Sequence, residues 1–190
     1  MTESDFEALK EIALAELDGL SPHLTYHSKA HTLDVIKQSI RIARSEGVAE
    51  HDILVLKMAA LFHDIGFLKV YLNHEIKGCE IFMDRSAGYS FSDEERAMVQ
   101  GLIMATKLPQ QPKTLLQRII CDADLDYLGR EDFFEVGDNL RKEFLHYKMV
   151  PGNDEWEAMQ LNFLKTHRYH TRTSQTLREP VKQQNYARLI

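Results

Sequence analysis

Between Ile53 and Phe62 the chain is apolar on nearly every face of the helix its spacing predicts, so that helix belongs at the centre of a core. Directly at its end, inside Ala59-Ala60-Leu61-Phe62-His63-Asp64-Ile65-Gly66-Phe67, stand an imidazole and a carboxylate side by side. Burying that pair is costly, and the carboxylate must be paired or bound to a cation. Gly66 lets the chain turn and leaves room beside the pair. The fold must therefore wrap a helical core around a charged pair at its middle.

Apolar residues recur at helical spacing almost throughout the 190 residues. Phe6, Leu9, Ala13, Leu17 and Leu20 form one stripe, with Thr2 or Ser4 as cap. Leu33, Ile36, Ile40 and Ala43 form a second, ending near Gly47. Further helices are expected from about Asn73 to Arg85, from Ser92 to about Ala105, from Leu115 through the Asp122–Asp124 segment, from about Glu131 to Tyr147, and from Glu155 to about His167, with a short last one after Pro180. No period-2 strand stands out. The expected class is all-α, a helical bundle with a central buried helix carrying the His-Asp pair. One domain over residues 1–190 is expected, with a motif core at about 24–130 and helical extensions at 1–23 and 131–190.

Two other segments place ionisable residues against apolar ones. Upstream, Tyr26-His27-Ser28-Lys29-Ala30-His31 sets His27 and His31 four residues apart, on one face of a helix. Downstream, Ile120-Cys121-Asp122-Ala123-Asp124-Leu125-Asp126 is an acidic cluster with apolar neighbours. Two histidines and two aspartates can hold one divalent ion with positions left open for water and substrate. Mixed nitrogen and oxygen donors suit manganese, iron, cobalt, nickel, zinc or magnesium.

The ordered pattern of His31, then His63-Asp64 in Leu61-Phe62-His63-Asp64-Ile65-Gly66, then Ala123-Asp124 resembles the HD superfamily, named for its adjacent His and Asp. The resemblance implies a helical fold, a divalent metal held by His31, His63, Asp64 and Asp124, and hydrolysis of a phosphate ester. It selects Asp124 as ligand over Asp122, which is left to orient a ligand histidine or a water. Tyr26-His27 with His31 looks like the cyclic-nucleotide phosphodiesterase branch, where the first histidine protonates the leaving oxygen. His74, followed by Glu75 and Gly78, resembles a segment that lines the site in other members, and is the alternative acid. Where a second metal would take a further histidine, this chain has Lys107, which favours one strong metal site and weighs against the di-iron oxygenases of the superfamily. The other alternative is a ligand-binding HD domain without activity.

In the implied reaction the ion activates a water that attacks phosphorus, with Asp64 at its centre and Asp124 or Asp122 aligning the water. Lys69, Lys107 and Arg130 are candidate phosphate contacts, as is the run Lys165-Thr166-His167-Arg168-Tyr169-His170. Phe133, Phe134, Phe144 and Trp156 are expected in the core rather than as a base-stacking platform, and His23, His51 and His146 on the surface. The two cysteines, Cys79 and Cys121, are expected as buried free thiols. A net charge of −6 argues against a nucleic-acid polymer as partner. With neither a signal-peptide pattern nor a long apolar run, the expectation is a cytoplasmic protein without membrane attachment. The expected partner is a small phosphorylated substrate, a nucleotide or another metabolite, monoester or diester; a homodimer is left open.

Overall fold

A computed structural model describes residues 1–190. Thr2 starts the first helix, α1 (Glu3–Leu17), its hydroxyl accepting from Asp5 N–H while the Asp5 carboxylate accepts from Thr2 N–H. Ser28 caps α2 (Lys29–Ser45) by accepting from His31 N–H. The central apolar segment is α3 (Glu50–Phe62), followed by a 3-10 turn, Ile65–Leu68. Then come α4 (His74–Ser86), α5 (Asp93–Ala105), α6 (Leu115–Asp124), a second 3-10 turn at Asp126–Gly129, α7 (Phe133–His146) and α8 (Asn153–Thr166). Two short helices, α9 (Arg172–Leu177) and α10 (Glu179–Ala187), close the chain. There is no strand, and the fold is all-α as the periodicity predicts.

Helix α3 lies in the middle, packed by α1, α2 and α5, and every residue from Ile53 to Phe62 except Lys57 is buried. The residues that bury on α2 are Thr32, Val35, Ile36, Gln38, Ser39, Ile42 and Ala43. Leu33, expected in the stripe, is 41% exposed, and Ile40 is only partly covered. The reason is that α2 packs on both α3 and α6, so its buried arc is wide and admits polar residues that a strictly apolar pattern skips. After Leu164 the chain makes two helices where one was expected, because Thr171 caps α9 by accepting from Ser174 N–H.

Two close backbone approaches position the site. A Cβ on Gly66 would sit 1.9 Å from the His74 carbonyl oxygen, and one on Gly78 would sit 2.8 Å from that of Phe62. Only glycine lets α4 lie this tightly against the end of α3 and the turn after it. Asn73, at φ 58°, takes the left-handed conformation that reverses the chain into α4.

The C-terminal segment folds back on the other side. Asp126 accepts from Arg41 Nη2 at 2.8 Å and from Arg178 Nε at 2.9 Å, and Arg130 Nη1 lies 3.7 Å from its other oxygen. A second apolar cluster, including Tyr26, Leu125, Phe133, Leu164 and Tyr169, fills the space beneath the Asp126 turn. No helix is long and apolar enough to cross a membrane. Cys79 and Cys121 are buried and unpaired.

Candidate metal centre

Four donor side chains arrive from three places: His31 from the first turn of α2, His63 and Asp64 from the end of α3, and Asp124 from the last turn of α6. The donor atoms of His31, His63 and Asp124 all lie within 4.8 Å of one another. His31 Nε2 is 3.4 Å from His63 Nε2 and 3.2 Å from Asp124 Oδ1. Asp64 Oδ2 is 3.1 Å from His63 Nε2 and 3.5 Å from His31 Nε2. His63 Nδ1 donates to the Ala60 carbonyl at 2.8 Å, which orients the ring with Nε2 facing the aspartates.

This set fits a divalent ion. Asp64 Oδ2 is buried and accepts no hydrogen bond, the state of a carboxylate oxygen built for a cation. Burial by itself would raise the pKa of Asp64, yet His63 and His27 hold it well below the usual carboxylate range. Asp124 likewise overcomes burial, held at about 2 by His31 and His63. His63 shows the converse: burial opposes its charge, but Asp64 and Asp124 raise it well above the ordinary imidazole value. A cation can take over the role these imidazolium protons play.

Around the four donors the structure places the other expected residues unequally. His27 lines the cavity, with Nδ1 donating to Glu143 Oε1. Burial lowers its pKa less than Asp64, Glu143 and Asp124 raise it, so the net shift is upward. His74 Nε2 is 3.4 Å from Asp64 Oδ1, and the Phe67 ring stacks against both histidines, 4.2 Å from His27 and 3.9 Å from His74 by centroids, while the two imidazoles are themselves 6.0 Å apart. Lys107 lines the cavity mouth and donates to Asn73 Oδ1 at 2.8 Å.

Four expectations about polar residues are corrected. Asp122 does not orient a ligand or a water at the centre: its oxygens accept from His170 N–H, Thr171 N–H and the Thr171 hydroxyl at 2.6–2.8 Å, anchoring the C-terminal segment. Arg130 is no phosphate contact, because Asp34 and Asp132 take its guanidinium. Lys69 is exposed and lies outside the cavity. In the 165–170 run, Tyr169 is buried with its hydroxyl on the Leu125 and Asp126 carbonyls, and none of the six lines the cavity.

Glu143 is the site residue that sequence reasoning missed. Its side chain is fully buried, Oε2 accepts from the backbone N–H of Tyr26 and His27, and Oε1 accepts from His27 Nδ1 and, at 3.0 Å, from the Tyr71 hydroxyl. These donors, His27 above all, hold it ionised against a burial that works the other way. Its only signal in the sequence is a charged residue on the inward face of α7. Gln110, 3.4 Å from Asp124 Oδ2, comes from a loop that gives no signal. Phe144 and Trp156, expected in the core, instead form part of the cavity wall, edge to face at 5.6 Å. Phe133 is buried in the second cluster and Phe134 packs against it, as expected. His23, His51 and His146 are exposed.

The HD domain family model matches residues 29–126, just over half of the chain, and takes in all four donors. The chain belongs to the HD domain family. No curated protein and no solved structure matches it. HD domains bind divalent metals and are in general metal-dependent phosphohydrolases. The matched segment begins after His27 and ends before Glu143, so this pair of the present HD domain rests on its own geometry.

Proposed function

We propose that this HD domain hydrolyses a phosphate ester of a small molecule, using one divalent ion held by His31, His63, Asp64 and Asp124. The observation that carries the reading is the pairing of two things: the cluster of His31, His63 and Asp124 with the unpartnered Asp64 oxygen beside it, and a cavity-lining histidine held by a buried glutamate. Bound there, the ion supplies charge for a phosphoryl oxygen and acidifies the attacking water.

The protein's own groups account for the proton traffic. Glu143 fixes His27 with Nδ1–H donated, so Nε2 is the nitrogen left to carry a proton toward the leaving oxygen. As the water oxygen bonds to phosphorus and the P–O bond to the leaving group breaks, that proton turns the alkoxide into an alcohol. The proton lost by the water passes to the Asp64 Oδ1–His74 Nε2 pair. Net, one water is added across one phosphate ester. His27 is held by Glu143 and His74 stands at Asp64, so the donor and the acceptor of protons are distinct groups.

The test is release of inorganic phosphate from p-nitrophenyl phosphate by protein first stripped with a chelator and then reloaded with manganese, cobalt, nickel, iron, zinc or magnesium. The reading expects activity to appear with the ion and to saturate near one ion per chain. It fails if no ion confers phosphate release above that of the Asp64→Ala variant.

A further inference from the structure

The cavity that opens beside Asp64 and Asp124 is far larger than a phosphate needs, and most of its lining is apolar. Its volume is about 560 Å³, within the range of roughly 300–1,000 Å³ typical of drug-sized ligands. Beyond His27 and His74 it runs to α7, α8 and the turn that joins them, where Leu140, Phe144, Met149, Trp156, Met159 and Phe163 form most of the wall. The polar groups lie at the donor end, except Gln160 of α8, the one polar side chain in the wall. Lys107 is the one Lys or Arg side chain that lines the cavity, and its ammonium is already held by Asn73. Asp64, Glu75 and Asp124 line it too. A nucleoside triphosphate would bring its several charges into a space with one lysine and three carboxylates. A sugar would set its several hydroxyls against methionine, leucine and phenylalanine with Gln160 as the one polar side chain of the wall, at a cost in lost hydrogen bonds.

We propose, building on the phosphohydrolase reading, that the substrate is a monoester of phosphate with an apolar alkyl or aryl alcohol: one phosphoryl group at the donors, its leaving group in the chamber between α7 and α8. Selection is by chain burial. Each methylene that enters the wall region strengthens binding by about fourfold at full burial, the equivalent of ~0.8 kcal/mol. The phosphoryl end is the same for every member of a homologous series, so the length of the alkyl group alone reads out the chamber.

Trp156 is the single tryptophan of the chain and stands in that wall, so its fluorescence reports occupancy without any turnover. Metal-loaded protein is titrated with ethyl-, butyl-, hexyl- and octylphosphonate, which cannot be hydrolysed, alongside AMP and ATP. Affinity should climb at each step of the series, and octylphosphonate should bind tighter than either nucleotide. Met159→Gln, which puts an amide in the wall, should cut the octyl-to-ethyl affinity ratio by about tenfold. Affinity that is flat from ethyl to octyl, or tighter binding of AMP or ATP, overturns the proposal. Phosphate release from the matching alkyl phosphates is scored separately. A rising affinity series with no release sinks the hydrolase reading and supports the apolar ligand; release from nucleotides with a flat alkyl series does the reverse.

Discussion

The three aspartates of the acidic cluster, two residues apart, do three different jobs. Asp122 ties down residues 170–171, Asp124 faces the histidines, and Asp126 receives Arg41 and Arg178. Their alternation reflects a helix ending: Asp122 and Asp124 stand on the last turn of α6 and Asp126 opens the 3-10 turn after it, so each step of two residues swings the side chain to another face. Sequence pattern shows that the cluster matters, and family resemblance picks its ligand. The work of the other two depends on segments some 45 to 85 residues distant, which no local pattern encodes. Glu143 is the same case at greater range, more than 110 residues from His27. Its effect is open to measurement. Once an ion offsets Asp64 and Asp124, Glu143 is the carboxylate left to raise the His27 pKa, and His27 must be protonated to act. Activity should therefore fall as pH rises through that pKa. Glu143→Gln should move this alkaline limb to lower pH and reduce kcat by roughly 10–100-fold, the usual effect of losing such a supporting contact. A pH–rate profile of the variant checks it; an unmoved alkaline limb would show that Glu143 does not set the charge of His27.

At the scale of elements, helices with a strong cap and a one-sided stripe, such as α1 and α5, follow the sequence closely. Helix α2 shows the limit. Its rotation is set by packing on two neighbours at once, and this turns Leu33 outward and Ser39 inward. Helix α4 is placed by glycines rather than by apolar pattern: Gly66 and Gly78 admit it against the end of α3, and that approach brings His74 to Asp64. Gly66→Ala should force the turn and α4 apart, because its methyl would overlap the His74 carbonyl. The expected loss is on the order of 1–3 kcal/mol, the usual cost of overpacking. For a chain of this size that lowers Tm by roughly 2–12 °C. Thermal unfolding followed by circular dichroism measures this. An unchanged Tm would mean that α4 does not depend on the close approach.

At the scale of the whole molecule, α3 gathers the core, α7 and α8 complete the cavity, and the segment of α9 and α10 returns to lock the Asp126 turn. The division was only partly readable in sequence. The apolar residues of α7 and α8 look like core residues, and it is their placement around a cavity that changes their meaning. The metal centre joins the elements before and after α3, so an ion that binds the folded state alone should stabilise all of it. At a hundredfold excess over Kd this amounts to about 2.7 kcal/mol. That raises Tm by roughly 5–10 °C. Because His63 holds a proton more tightly than an ordinary imidazole, metal uptake displaces it. Apparent affinity should therefore fall as pH is lowered, since protons compete for His63 and the aspartates. Calorimetric titration with manganese at several pH values, in buffers of different ionisation enthalpy, counts the protons released. Binding that releases none, or a Tm indifferent to metal, would contradict the assignment.

The central claim is that an ion at His31, His63, Asp64 and Asp124 works with His27 as the acid for the leaving oxygen. The most direct measurement compares His27→Ala with the unmodified protein on butyl phosphate and on p-nitrophenyl phosphate, with metal content determined for both. Loss of a general acid should lower kcat on butyl phosphate by roughly 10²–10⁴-fold, because an alkoxide cannot leave without a proton. On p-nitrophenyl phosphate, whose leaving group departs as a stable anion, the loss should be much smaller, and the ion should remain at one per chain. An equal loss on both substrates, or an emptied metal centre, would contradict the account.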